Sequence, residues 1–193
     1  AMDHALTMGF PVVLKVVSPD IIYKTDVGCV RTWLTSPKEV ATAYQEILKN
    51  ALRHHPNARV LGISVQTMAR SGHEVIIGAK RDPSFGPVVM FGLGGVFVEL
   101  FKDVTFRLAP LSVDEALEMI TETKGFQSLK GFRGREPADV EALVKTLEDV
   151  SKMVVDLPEI EELDINPLIV HTQGATVVDA RIVTRWIPES GDI

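Results

Sequence analysis

Cysteine is nearly absent: Cys29 is the single one in 193 residues. A disulfide framework within the chain is therefore excluded, and a reducing cytoplasm is the expected setting. Long apolar runs are absent too. No stretch reaches the roughly 18 residues of a membrane-spanning helix. The opening AMDHALTMGFP has neither a basic segment nor a long apolar one, so it is not a secretory signal. Basic charge is in deficit, with 20 Lys and Arg against 26 Asp and Glu and a net charge of −6. Without a basic stripe, a nucleic-acid partner is not expected. No internal repeat and no low-complexity tract occurs. The five histidines give no metal-ligand spacing: His54 and His55 end a helix, while isolated His73 and His171 are expected at the surface or in turns. Nothing supports a Ser-His-Asp or Cys-His arrangement.

What is present is a chain 46% hydrophobic, enough for one sizeable core or two small lobes sharing a cleft. PVVLKVV at 11–17 reads as a buried strand, so a strand begins almost at once, as in a piece of something longer. RTWLT at 31–35 is a second, short strand. The next helix is signalled by Ser36 as cap and Pro37 in its first turn. Its apolar face runs through Val40, Ala43, Tyr44, Ile47, Leu48, Ala51 and Leu52. Three strands follow at 59–68, 73–82 and 87–95. Their links are short, and an antiparallel meander is expected. A capping box, Ser112 with Glu115, opens another helix. Then come a glycine-rich basic loop, a helix from about residue 139, and two final strands, ELDINPLIVH and ATVVDARIV. The fold class is α+β, with helices covering mostly antiparallel sheets.

Several residues could carry chemistry. Lys15 lies inside an apolar strand, where it either snorkels to water or meets anions. Glu74 and Lys80 share one strand face by period two, which an exposed sheet face also explains. Asp164 and Asn166 share a face on the penultimate strand, and Asp179 sits among apolar neighbours on the last. Converging oxygens of that kind suit Mg²⁺; a buried Asp satisfied by backbone donors and a turn Asn before Pro167 fit as well. Gly92, Gly94 and Gly95 either expose amides to an anion or make a tight turn.

The order of these motifs is more specific than any one of them. GFPVVLKVVSPDI, DVG, VQ-x-M, EVIIG, FGLGG, LAPLS, GFRG, ELDINPL and VVDARI follow one another from about residue 8 to 184. This resembles the ATP-grasp domain of the ADP-forming acyl-CoA synthetases, related to the β subunit of succinyl-CoA synthetase. The resemblance implies a fold that clamps ATP between two α+β lobes, here 1–65 and 66–193, the opening part of the small lobe being absent. It implies ATP or ADP with Mg²⁺ as cofactors. The partner is a CoA-binding module with a phosphorylated histidine, fused or separate. The reaction is acyl-CoA + ADP + phosphate to acid + CoA + ATP. Lys15, Gln66, Met68, Glu74, Gly94 and Gly95 match nucleotide-binding positions, and Asn166 and Asp179 match the Mg²⁺ ligands. Lys24 lies near the phosphates, and Glu99 lies in the segment that receives the phosphohistidine loop. Arg107 and Arg133 are further phosphate or interface candidates. Tyr23 stands where the family usually has His, and Cys29 where it has a second glycine. An aromatic packed over the nucleotide or a lobe is the expected role for Tyr23. Those two departures suit an alternative, a regulatory or degenerate ATP-grasp domain of a fused protein-lysine acetyltransferase.

Overall fold

The computed structural model describes residues 1–95, 102–131 and 134–185. They fall into two compact units, Ala1–Met68 and Ala69–Ile193, each with a sheet and a core of its own.

The first unit is organised by β1 (Val12–Val17), which pairs antiparallel with β2 (Val30–Leu34) on one edge and β3 (Gly62–Thr67) on the other. Val12, Leu14 and Val16 point into the core with Val40, Ala43 and Ile47 of α2 (Pro37–His54). The cap forms as expected: Ser36 Oγ accepts from the Glu39 amide at 3.3 Å, with Pro37 in the first turn. A short helix, α1 (Met2–Met8), precedes β1 where sequence reading has none, and its Ala5 is fully buried. The expected three-strand meander is corrected as well. Its first member, β3, belongs to the sheet of β1 and not to the later one. The physical reason is that β1 is buried, so its main-chain N–H and C=O groups need partners on both edges.

The second unit holds a six-stranded antiparallel sheet in the order β6-β5-β4-β7-β8, with β9 also on β7. Its strands are β4 (His73–Asp82), β5 (Gly86–Leu93), β6 (Val104–Leu108), β7 (Ile160–Val170), β8 (Ala175–Val177) and β9 (Ala180–Thr184). Sequence reading misses β6 altogether. It takes β8 and β9 as one strand, whereas the chain breaks at Val178 and Asp179. The helices are α3 (Val113–Glu122), the single-turn α4 (Phe126–Leu129) and α5 (Val140–Asp156). The Ser112–Glu115 capping box closes α3 reciprocally. Val75, Ile77 and Ala79 pack with Met119, Leu143 and Leu147 of the helices, so odd positions of β4 face the core. Arg81 donates to the Val154 and Ile160 carbonyls, satisfying one of the last acceptors of α5. Asp103 is buried and its carboxylate accepts from the Lys124 and Gly125 amides at 2.9 and 2.8 Å, fixing the turn into α4.

Candidate functional site

The face of the sheet opposite α3 and α5 carries the even positions of β4: Glu74, Ile76, Gly78 and Lys80. In register, Gly78 faces Asp164 on β7, and Asp164 faces Arg181 on β9. Alternation is interrupted at one place. Val75 faces Leu168 but Ile77 faces Ile165, so Asn166 and Pro167 together oppose Ile76. This is a β-bulge, a device that re-aims a side chain and ends regular pairing. The next strand answers it with its own break. The Asn166 amide donates to the Asp179 carbonyl, and the Val178 amide to the Pro167 carbonyl, each at 3.0 Å. Asn166 and Asp179, thirteen positions apart by their numbers, are thus held side by side by main-chain hydrogen bonds.

Their donor chemistry is a carboxylate and an amide oxygen. Two oxygen ligands fit a hard cation that keeps waters and shares phosphate oxygens. Among the described residues, no group of three or more His, Cys, Asp and Glu is placed to hold a metal. Asp164 adds negative charge. Burial pushes its carboxyl above the ordinary range; the Arg181 guanidinium opposes that shift, and the Glu162 and Asp179 carboxylates reinforce it. Arg181 is itself paired with Glu162 at 3.0 Å.

Glu74 and the glycine turn are built as one piece. The Gly94 amide donates to the Glu74 carbonyl at 2.7 Å. A Cβ on Gly94 would lie 2.9 Å from both the Glu74 Cβ and its carbonyl oxygen. Gly95 has φ +68, in the left-handed region that favours glycine.

In the first unit, Lys15 faces Ser64 and Val13 faces Gln66 across the β1–β3 register. Lys15 and Gln66 therefore share the face of the small sheet opposite α2, and Lys15 is only 7% exposed. The Met68 amide donates to the Pro11 carbonyl just beyond the end of β3. The loop that carries Lys24 is anchored at its feet. Ile21 is buried, Asp20 accepts from the Arg59 amide at 2.7 Å, and Asn50 donates to the Gly28 carbonyl at 2.9 Å. Its tip is exposed, Tyr23 to 75%. Tyr23 is thus not packed against its own unit. Ile21 takes the buried position two residues earlier and turns Tyr23 outward.

The chain has matches among known proteins. A family model described as "ATP-grasp domain" matches residues 1–184. The chain belongs to the ATP-grasp family. It is 46% identical over 188 residues to the acetate–CoA ligase [ADP-forming] II subunit beta of Pyrococcus furiosus, covering 96% of this chain and 80% of that one. It is 49% identical over 183 residues to acetate–CoA ligase [ADP-forming] I of Archaeoglobus fulgidus. There this ATP-grasp chain, 95% covered, spans 27% of the relative's length. The dinucleotide-forming acetyl-coenzyme A synthetase 1 of Ca. Korarchaeum cryptofilum, solved with coenzyme A and Ca-AMPCP, superposes with a TM-score of 0.92 at 53% identity, covering 96% of this chain and 81% of that one. A second structure of that enzyme holds Mg-AMPPCP, with its phosphohistidine segment pointing towards the nucleotide binding site. None of these ATP-grasp relatives is named as an acetyltransferase.

Within each unit, then, the ATP-grasp chain brings together Asn166 with Asp179, Glu74 with Gly94, and Lys15 with Gln66. It does not bring Arg107 to the face of Glu74. Arg107 lies opposite Val89 on the helix side, bound to Glu122 and Glu118. Glu99 and Arg133 lie outside the described residues. His73 and His171, expected at the surface or in turns, are both 8% exposed, and His171 opens a turn in which its amide donates to the Gly174 carbonyl. Their burial is the feature that sequence reading misses. The signal was there: each lies at the end of an apolar strand, His73 two positions from Val75 on the same face and His171 directly after the buried run Leu168–Val170.

Proposed function

We propose that this chain is the nucleotide-binding domain of an ADP-forming acyl-CoA synthetase, acting with a CoA-binding module that carries a phosphorylated histidine. The side-by-side placement of Asn166 and Asp179 across the β7 bulge carries the reading. In it, phosphoryl passes from the phosphohistidine to ADP, giving histidine and ATP, within the overall conversion of acyl-CoA, ADP and phosphate to acid, CoA and ATP. Asn166 and Asp179 are the proposed ligands of Mg²⁺, which when bound neutralises charge on the phosphate oxygens. Lys15 and Lys24 are assigned phosphate contacts, Gln66 and Met68 the base, and Glu74, Gly94 and Gly95 the floor of the nucleotide position. Positioning and electrostatics are sufficient work for these residues, since the covalent carrier belongs to the other module. Among the described residues, no helix is long and apolar enough to cross a membrane. The buried free thiol of Cys29 suits a cytoplasmic setting.

The test is calorimetric titration with ATP, with and without Mg²⁺, of the parent protein and of Asp179→Ala. Mg²⁺-dependent binding that weakens about tenfold or more in the variant is expected. Equal titrations of the two proteins overturn the metal assignment.

A further inference from the structure

A second cavity-bearing region lies within the Ala69–Ile193 unit, on other residues. Where β4 begins and β7 ends, a cavity of about 560 Å³ is lined by Arg70, His73, Arg135, His171 and Thr172, with Glu136 the one acid among its described lining residues. It belongs to the helix side of the sheet, because His73 shares a face with Val75 and Ile77 and not with Glu74.

The walls are fixed. His171 Nδ1 lies 3.2 Å from the Ser71 carbonyl and its Nε2 lies 3.0 Å from Thr176 Oγ1, so both ring nitrogens are engaged. A carbonyl only accepts, so Nδ1 carries the proton and Nε2 accepts from the threonine. A Cβ on Gly72 would fall 2.5 Å from the Val170 carbonyl, so only glycine lets the chain pass this close to the end of β7. Asp139 beside the cavity is already occupied: its carboxylate accepts from the Ala142 and Gly174 amides.

Three groups remain uncommitted. His73 is 8% exposed, and its Nε2 donates to the Glu136 carbonyl at 2.8 Å. Its Nδ1 has no partner among the described residues. Arg70 and Arg135 have no carboxylate partner among the described residues either. In a chain of net charge −6, Arg70 and Arg135 line one hollow together with the buried His73 and with Thr172.

We propose that this cavity binds a phosphate monoester. Guanidinium forks match phosphate oxygens in geometry and charge. Donors from Arg70, Arg135 and Thr172 outnumber what the two oxygens of a carboxylate accept, and they suit the three terminal oxygens of a phosphate monoester. The volume is that of a small-molecule site and exceeds the needs of a bare phosphate, which leaves room for the ester group. His73 Nδ1, with its Nε2–H given to Glu136, accepts a hydroxyl of that group.

The experiment follows the ring resonances of His73 in nitrogen-correlated NMR spectra of the full chain. The probes are phenyl phosphate, inorganic phosphate and benzoate. Each titration is run in metal-free buffer and again with Mg²⁺ and a non-hydrolysable ATP analogue, so that a failure of nucleotide binding is read separately. Phenyl phosphate is expected to shift His73 saturably in both buffers and to bind more tightly than inorganic phosphate or benzoate. The double substitution Arg70→Ala with Arg135→Ala, both on exposed side chains, is expected to weaken it about tenfold or more. The nucleotide titration should stay unchanged. An unmoved His73, equal affinity in the double variant, or benzoate binding as tightly as phenyl phosphate overturns the site. Tighter binding of inorganic phosphate overturns the ester assignment.

Discussion

At the scale of single residues, Asp164 is a half-buried carboxyl with acidic neighbours. Burial raises its carboxyl, and only Arg181 opposes this. A carboxyl raised in the folded state holds its proton more tightly there than in the unfolded chain. Below the ordinary carboxylate range it therefore costs nothing. As pH rises through that range and past the raised value, the cost appears and persists at neutrality. Asp164→Asn is accordingly expected to raise the melting temperature of the metal-free protein at neutral pH by about a degree or two, the effect being reduced because the group is only half-buried. The gain should close as the buffer is acidified. Thermal scans from neutral pH to pH 4 check this, and a gain that grows on acidification contradicts it. The local cost fits a site where charge is gathered for binding at the expense of stability.

At the scale of elements, what was legible in the sequence is what depends on neighbours along the chain. Ser36 and the Ser112–Glu115 box announce helix starts because their hydrogen bonds span three residues. Glu74 and Lys80 share a face because period two is local. Asn166 and Asp179 were also in view, as polar residues on two consecutive apolar segments. What was not legible is non-local. Nothing within GISVQT says that it pairs with β1 across some fifty residues and not with the next strand. The β7 bulge and the matching break at Val178–Asp179 are a register property of three strands together. Strand β6 alternates Val104, Phe106 and Leu108, but as an edge it leaves Phe106 and Leu108 more than half exposed, so its apolar pattern does not mark a core. One element-level consequence is testable. Because β5 leaves the sheet with Gly94 against Glu74, Gly94→Ala forces the two strands apart. It is expected to cost about 1–3 kcal/mol, as overpacking does. Urea unfolding should show a lower midpoint at unchanged slope. An unchanged midpoint means that the strand ends yield freely.

At the scale of the whole molecule, the two core clusters have no residue in common. One gathers Val12, Leu14, Val40 and Ile47, and the other Val75, Phe91, Leu143 and Leu147. Ile47 and Leu147 are both fully buried, each in the middle of the helix that covers its own sheet. Truncating either to alanine removes buried methyls and leaves a cavity, at a cost of about 2–5 kcal/mol. Energy lost from one cluster lowers the opening free energy of the amides that cluster protects, and cooperative opening follows such contiguous packing. Ile47→Ala is therefore expected to speed amide exchange in β1 and α2 while leaving β4 and β7 near their parent rates. Leu147→Ala should do the reverse. Native-state hydrogen exchange read residue by residue decides the matter. If Ile47→Ala accelerates β4 as much as β1, the two clusters open as one, and the independence inferred from their separate cores fails.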